Sequence, residues 1–307
     1  MRVVVTGGAG FIGSNLCERL AEDASFDAVV ALDDLSNGFA ENLDGIDAQL
    51  VVGSILDADL LDEVCSGADA IVHLAARGSV PKSVKDPFKT HERNATGTLH
   101  VVEAARRAGN IHVITASSSS VYGATPDLPK HEDLPTRPMS PYAVSKIATE
   151  WYTLAHQHSY GLPTLAFRFF NVYGPRQPAG HAYAAVIPAW IDAALKGEPL
   201  WVNGDGKQSR DFTYVDTVTW TLAEALKRRT TFEMPVNLAF GGGTTLLELV
   251  NMLESAFGSE LDVRHREARA GDIRHSTADS RRLYELFPDV EPIGFDEGLA
   301  KTIDWWR

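Results

Sequence analysis

The sequence predicts an α/β protein: a doubly wound parallel sheet carrying a smaller C-terminal lobe. Three observations predict it. Short apolar runs alternate with amphipathic segments through the first half of the chain. The first of these runs leads straight into a glycine-rich turn. Near Gly174 the composition changes to a loop rich in glycine and proline, followed by short segments and glycine turns such as Asn203-Gly-Asp-Gly206 and Gly241-Gly-Gly243.

The apolar runs are Val3–Val5, Val29–Leu32, Leu50–Val52, Ala70–Leu74, Val113–Ala116 and Thr164–Phe169. Runs buried on both faces and separated by helices read as parallel strands. A helical pattern over Thr96–Ala108 stops at Gly109, a residue suited to ending a helix. Ligands of such sheets lie beyond the carboxyl ends of the strands, so chemistry is expected just after each run. Residues 1–170 read as a Rossmann-type dinucleotide-binding domain, with 211–240 returning to it. The stretches 171–210 and 241–307 read as the substrate-binding lobe, with Gly174–Pro188 as a long loop.

The opening turn carries the most information. Glycines at 7, 8, 10 and 13 follow Val3–Val5 and precede an amphipathic segment, Asn15–Ala21. Glycines let a backbone turn sharply and approach a pyrophosphate, and the helix that follows offers free N–H groups to it. Asp33 stands twenty positions after Gly13, at the end of the second run, where a carboxylate binds ribose hydroxyls. Asp34 beside it would repel a 2′-phosphate, and no arginine follows until Arg77, so NAD is expected rather than NADP.

The bulk numbers exclude other classes. Of 307 residues, 44% are hydrophobic and 22% charged, the proportions of a globular protein. No apolar run approaches the roughly 20 residues that cross a bilayer. The chain opens on a strand, which leaves no room for a signal peptide, so a cytoplasmic location is the expectation. A net charge of −13 argues against nucleic acid as a partner. Cys17 and Cys65 lack metal-ligand spacing and read as core residues, and no metal is expected.

A second motif is Ser140-Pro-Tyr-Ala-Val-Ser-Lys146. Ser140 suits a helix N-cap and Pro141 the first turn. Tyr142 and Lys146 then share a helix face. A nearby ammonium and the helix N-terminus favour phenolate, so the Tyr142 phenol is expected to be shifted down into the range of an acid/base catalyst. A third motif, Thr115-Ala-Ser-Ser-Ser-Ser-Val-Tyr-Gly123, follows the fifth run where a ligand hydroxyl would lie. Spacing does not choose among its four serines.

On these residues the chain resembles the extended short-chain dehydrogenase/reductase family, in its nucleotide-sugar branch. The resemblance runs over essentially the whole chain. Its marks are Gly7, Gly10 and Gly13, Asp33, His73-Leu-Ala-Ala76, Asn94, Val121-Tyr-Gly123 with the serines before it, and Tyr142 with Lys146. The resemblance implies Ser118, Tyr142 and Lys146 as the catalytic triad. It implies a cofactor site of Gly7, Gly10, Phe11, Ile12, Gly13, Asp33, Asn37, Gly38, Ser54, Ile55, Leu74, Ala75, Ala76, Asn94, Tyr142 and Lys146. One departure lies in the adenine pocket: the family's Asp after the third strand is here Ser54.

The resemblance also narrows the reaction. Sugar dehydratases of the branch resemble Thr-Asp-Glu where this chain has Ser118, Ser119 and Ser120, and decarboxylases carry Glu at the last position. Serines cannot replace those carboxylates as acid and base at neutral pH. Reversible hydride and proton transfer at one carbon is what such a site allows, which implies a UDP-sugar 4-epimerase. Ser118, Asn171, Val186, Asn203, Arg210, Arg269, Asp272 and Ser276 are implied as substrate contacts. Arginine suits the diphosphate because its planar fork binds phosphate oxygens in pairs. Ser276, seven after Arg269, matches a position that gates the sugar pocket, and a small residue there favours N-acetylated sugars. UDP-N-acetylglucosamine and UDP-N-acetylgalactosamine are the expected pair, with plain hexoses, uronic acids, a dehydratase or a reductase as alternatives. A catalytically silent NAD sensor would have to forgo a triad that is complete here. The resemblance implies a homodimer paired through helices within Phe88–Ala108 and Pro141–Ser159.

Overall fold

The fold was obtained as a computed structural model, which describes residues 1–179, 185–267 and 274–307. In chain order the first half contains β1 (Arg2–Thr6), α1 (Phe11–Glu22), β2 (Ala28–Asp33), β3 (Gln49–Val52), α2 (Ala58–Cys65) and β4 (Ala70–His73). There follow α3 (Val80–Lys85), α4 (Pro87–His91), a π-helical turn (Glu92–Thr96), α5 (Gly97–Arg107), β5 (His112–Ser118), α6 (Pro141–Tyr160) and β6 (Thr164–Phe169).

The second half contains β7 (Asn171–Tyr173), α7 (Val186–Lys196), β8 (Leu200–Asn203), β9 (Ser209–Arg210), β10 (Phe212–Tyr214), α8 (Val215–Lys227) and β11 (Val236–Leu238). It ends with β12 (Thr244–Thr245), α9 (Leu246–Phe257), β13 (Val263–Arg266), β14 (His275–Ser276), α10 (Arg281–Leu286) and α11 (Phe295–Trp306).

Seven strands form one parallel sheet in the order β11-β6-β5-β4-β1-β2-β3. The chain runs outward from β1 to β3 and then restarts at β4 on the other side of β1. The crevice at the carboxyl ends of β1 and β4 is therefore the topological switch point, where doubly wound sheets bind ligands.

Alternate residues of the strands feed two cores, as a sheet covered on both faces requires. Val3, Val5, Ala31, Val72 and Ile114 pack with Leu16 and Leu20 of α1 and Leu222 and Leu226 of α8. Val4, Val30, Leu32, Ile71 and Val113 pack with Leu61 and Val64 of α2 and Val101 and Ala105 of α5. Both cysteines are buried, and burial pushes the Cys17 thiol up to about 12 and the Cys65 thiol to about 11.

Two expectations are corrected. Leu50–Val52 lies in β3, at the sheet edge, so it is not buried on both faces, and Val52 is exposed. The loop from Gly174 ends before Pro188: α7 begins at Val186, and its apolar residues Ile187, Trp190 and Ile191 join the core.

The smaller strands gather beyond the sheet's carboxyl edge. β7 pairs in parallel with β10, β8 with β13, and β9 lies between antiparallel β12 and parallel β14. The segment 211–240 supplies α8, which packs on α1, and β11, which extends the large sheet beside β6.

Candidate active site

A cleft of about 620 Å³ opens over the carboxyl ends of the strands. Its floor is the glycine turn. Gly7 has φ +73°, and a Cβ there would stand 2.8 Å from the Ala75 backbone nitrogen. A Cβ on Gly13 would lie 2.0 Å from the Gly7 carbonyl oxygen. Both positions exclude a side chain, and the cradle they leave fits a pyrophosphate lying against bare backbone. Helix α1 starts at Phe11 with no side-chain cap on its N-terminal N–H groups. Those donors remain for an anion.

Asp33 closes one end of the cradle. Its carboxylate accepts hydrogen bonds from the Ala9 N–H (3.0 Å) and the Leu35 N–H (2.8 Å). Burial pushes its pKa above the usual carboxylate range, and these bonds oppose the shift. Gly7, Gly10, Phe11, Ile12, Gly13, Asp33, Asn37, Gly38, Ser54, Ile55, Leu74, Ala75 and Ala76 all line the cleft.

Beneath the floor, His73 joins three elements. Its Nδ1 lies 2.7 Å from Thr6 Oγ1 and its Nε2 lies 3.0 Å from Thr98 Oγ1. The Thr98 hydroxyl donates to the Asn94 carbonyl, so His73 Nε2–H donates to Thr98 and Nδ1 accepts from Thr6. Burial, aided by the charge of Lys146, pushes the imidazole down to about 3, so it stays neutral.

Asn94 does not line the cleft. It is buried one layer below, in the π-helical turn, where its Oδ1 accepts from the Arg77 N–H (2.7 Å) and its Nδ2 donates to Ser145 Oγ (2.9 Å). It thus ties the segment after β4 to α6.

Helix α6 carries Tyr142 and Lys146. Ser140 caps it, accepting from the Ala143 N–H at 3.1 Å, with Pro141 in the first turn. Tyr142 and Lys146 both face the cleft, and Ser118 at the end of β5 faces them. The structure distinguishes the four serines that spacing left equal. Ser117 is buried and donates to Glu150 Oε1 at 2.5 Å. The Ser120 hydroxyl is buried without a partner, and neither it nor Ser119 lines the cleft. Ser118 lines it and hydrogen-bonds the Tyr142 phenol.

The expected acidity of Tyr142 is corrected. Its phenol is shifted up, because burial outweighs the Ser118 hydrogen bond. Lys146 does not offset this: its ammonium donates to the Ala116 carbonyl at 2.8 Å, and burial pushes its own value down to about 8.

Behind the triad lies a buried ion pair. Arg168 Nε and Nη2 each donate to Glu150 at 2.9 Å, and both residues are almost wholly buried. Glu150 lies four residues beyond Lys146, so this pair pins α6 to β6 while Ser117 pins it to β5.

The sugar side of the site is less gathered. Asn171, Val186, Asn203, Arg210 and Ser276 do not line the cleft. Asn171 donates through Nδ2 to the Asp211 carbonyl (3.1 Å), and Asn203 Oδ1 accepts from Arg266 Nε (2.7 Å). Val186 opens α7. Arg210 and Ser276 are register partners in β9 and β14, and Arg210 donates to the Ser209 carbonyl. Arg269 and Asp272 lie outside the described residues.

The cleft also contains residues that sequence reasoning missed. Phe169, Phe170, Val172, Gln177 and Pro178 line it. Lys82 and Arg93 line it too, and Arg93 meets Asp34 at 2.9 Å although 59 positions separate them in the chain. An arginine distant in sequence thus reaches Asp34. Asp33 and Asp34 are the only carboxylates among the described residues lining the cleft.

With this geometry, residues 3–237 match the NAD dependent epimerase/dehydratase family. The chain belongs to that family. NAD is its cofactor, and the glycine cradle, the uncapped start of α1 and Asp33 fit it.

A UDP-glucose 4-epimerase of Mycolicibacterium smegmatis is 38% identical, with 100% of this chain and 99% of that one covered. A UDP-N-acetylglucosamine 4-epimerase of Methanobrevibacter ruminantium, solved with UDP-N-acetylmuramic acid, superposes with a TM-score of 0.93 at 38% identity, covering 99% of this chain and 97% of that one. A UDP-glucose 4-epimerase of Thermotoga maritima, solved with UDP-glucose, superposes with a TM-score of 0.94 at 32% identity, covering 100% and 99%. Among the described residues no helix is long and apolar enough to cross a membrane, and no group of three or more His, Cys, Asp and Glu side chains suits a metal.

Proposed function

We propose that the protein is a UDP-sugar 4-epimerase acting on UDP-N-acetylglucosamine and UDP-N-acetylgalactosamine. The observation that carries the reaction class is the make-up of the reacting end. Ser118, Tyr142 and Lys146 meet there, and the only lining carboxylates among the described residues, Asp33 and Asp34, stand beside the glycine turn. Elimination of water needs a further acid and base near the sugar, and Glu150 cannot serve because it is buried and committed to Arg168.

Gly7, Gly10, Gly13, Asp33 and Lys146 would hold NAD, which supplies a hydride acceptor and donor facing the sugar. Tyr142, in its phenolate form, takes the proton of the 4-hydroxyl on Oη, and Ser118 donates a hydrogen bond to the same oxygen as it becomes a carbonyl. After the sugar turns, Tyr142 returns the proton and C4 is reduced on its opposite face. The sequence of steps begins and ends with the same redox state, so no second substrate is consumed. Asn171, Val186, Asn203, Arg210, Arg269 and Asp272 would anchor the nucleotide while the sugar turns.

The small Ser276 beside Arg210, and the likeness to an N-acetylglucosamine epimerase, support the N-acetylated pair. Replacing Ser276 with tyrosine is expected to reduce turnover of UDP-N-acetylglucosamine at least about tenfold more than that of UDP-glucose, the discrimination available to a filled apolar pocket. Equal loss on both sugars would overturn the gate. The same reading includes a homodimer paired through α4 to α6, where Phe88, Val144 and Trp151 are exposed.

A further inference from the structure

The sheet order places β1 between β4 and β2. Any contact joining residues after β2 to residues after β4 must therefore pass over the carboxyl end of β1, which is the glycine turn. Among the described residues two side chains make such contacts. The Arg93 guanidinium, in the π-helical turn, pairs with Asp34 at 2.9 Å and donates to Ser36 Oγ at 2.6 Å. Lys82 Nζ, in α3, donates to Asn37 Oδ1 at 3.2 Å. Asp34, Ser36, Asn37, Lys82 and Arg93 all line the cleft.

The two sides of this bridge are anchored differently. The segment following Asn37 is fastened to the glycine turn itself: Phe39 N–H donates to the Ala9 carbonyl at 3.0 Å and Asn42 Nδ2 to the same oxygen at 2.9 Å. Gly38 lies so close that a Cβ would stand 2.8 Å from the Ala9 backbone. Arg93 precedes Asn94, whose side chain is held by Arg77 and Ser145. Both ends are thus fixed to the frame, and only the long side chains of Arg93 and Lys82 cross the gap.

We infer that Arg93 and Lys82, with Asp34 and Asn37, form a cofactor-retaining bridge across the switch-point crevice. A dinucleotide with its pyrophosphate on the glycine turn lies beneath them. It can leave along this face only after both contacts break. The bridge is electrostatic on one side, between partly exposed groups, so it opens more readily as salt rises. It leaves Asp33 free of a cationic partner, which keeps that carboxylate available for ribose hydroxyls. The inference does not depend on which sugar is turned over.

The test is exchange of radiolabelled NAD from the purified holoprotein against excess unlabelled NAD. Wild type, Arg93→Ala, Arg93→Lys, Lys82→Ala and the Arg93→Ala/Lys82→Ala double variant are compared, with thermal midpoints measured alongside. Label is expected to leave roughly threefold faster from Arg93→Ala, and roughly tenfold faster from the double variant, the range of one or two partly exposed polar contacts. Arg93→Lys should recover most of the retention. High salt should speed release from wild type and leave the double variant nearly unchanged. If Arg93→Ala lowers the thermal midpoint, Lys82→Ala, whose partner is an exposed asparagine, carries the same expectation without that effect. Equal release rates across the set, or a salt effect that persists in the double variant, would overturn the inference.

Discussion

Tyr142 and Ser118 show how one hydroxyl conditions another. Burial raises the phenol, and the Ser118 hydrogen bond is the influence that lowers it. Removing that bond should therefore raise the phenol further. Ser118→Ala is expected to lower kcat by about 100-fold, as loss of one donor to a developing oxyanion does, and to move the acid limb of the kcat–pH profile to higher pH. A loss of rate with the limb unmoved would mean that Ser118 acts on the sugar oxygen alone. The pair was legible in sequence as motif and spacing. The direction of the phenol's shift was not, because burial depends on what packs around α6 and on where the Lys146 ammonium points.

At the scale of elements, α6 is held to the sheet through charge as well as packing. Glu150 and Arg168 are both buried and share two hydrogen bonds at 2.9 Å. Removing one partner leaves the other charged in a dry setting, at a cost of roughly 3–5 kcal/mol. Glu150→Gln should lower the thermal midpoint strongly, whereas a Glu150→Leu/Arg168→Met pair should lower it less. The opposite order would show that the tie is not electrostatic. Local signals account for the start of α6 and the glycine turn, because Ser140, Pro141, Gly7 and Gly13 act within a few residues. They do not reach the Glu150–Arg168 pair or the Arg93–Asp34 bridge, which join residues 18 and 59 positions apart. The end of the 174–188 loop was misjudged for a related reason: Ile187 and Trp190 are apolar because α7 packs on the core, which a count of glycine and proline does not register.

For the whole molecule, the doubly wound sheet was legible because every buried strand repeats one pattern. Strand β3 broke it only by lying at the edge, and sheet position is not encoded in four residues. The cleft's lining by the glycine turn, Asp33 and Leu74–Ala76 was also legible, because these residues follow strands directly and strand ends converge by topology, whereas Lys82 and Arg93 reach it from helices. The rest of the lining was less so. Phe169, Phe170 and Gln177 reach it through the turn from β6 into β7 and the loop beyond, whose path no periodicity foretells. The central claim is a site that oxidises and re-reduces one carbon with a cofactor it keeps. The most direct measurement is incubation of the purified protein with UDP-N-acetylglucosamine and no added NAD, with the C4 epimers separated afterwards. The account predicts that UDP-N-acetylgalactosamine accumulates to a constant ratio reached from either sugar. No epimer from any UDP-sugar, or a dehydrated keto-sugar as the stable product, would contradict it.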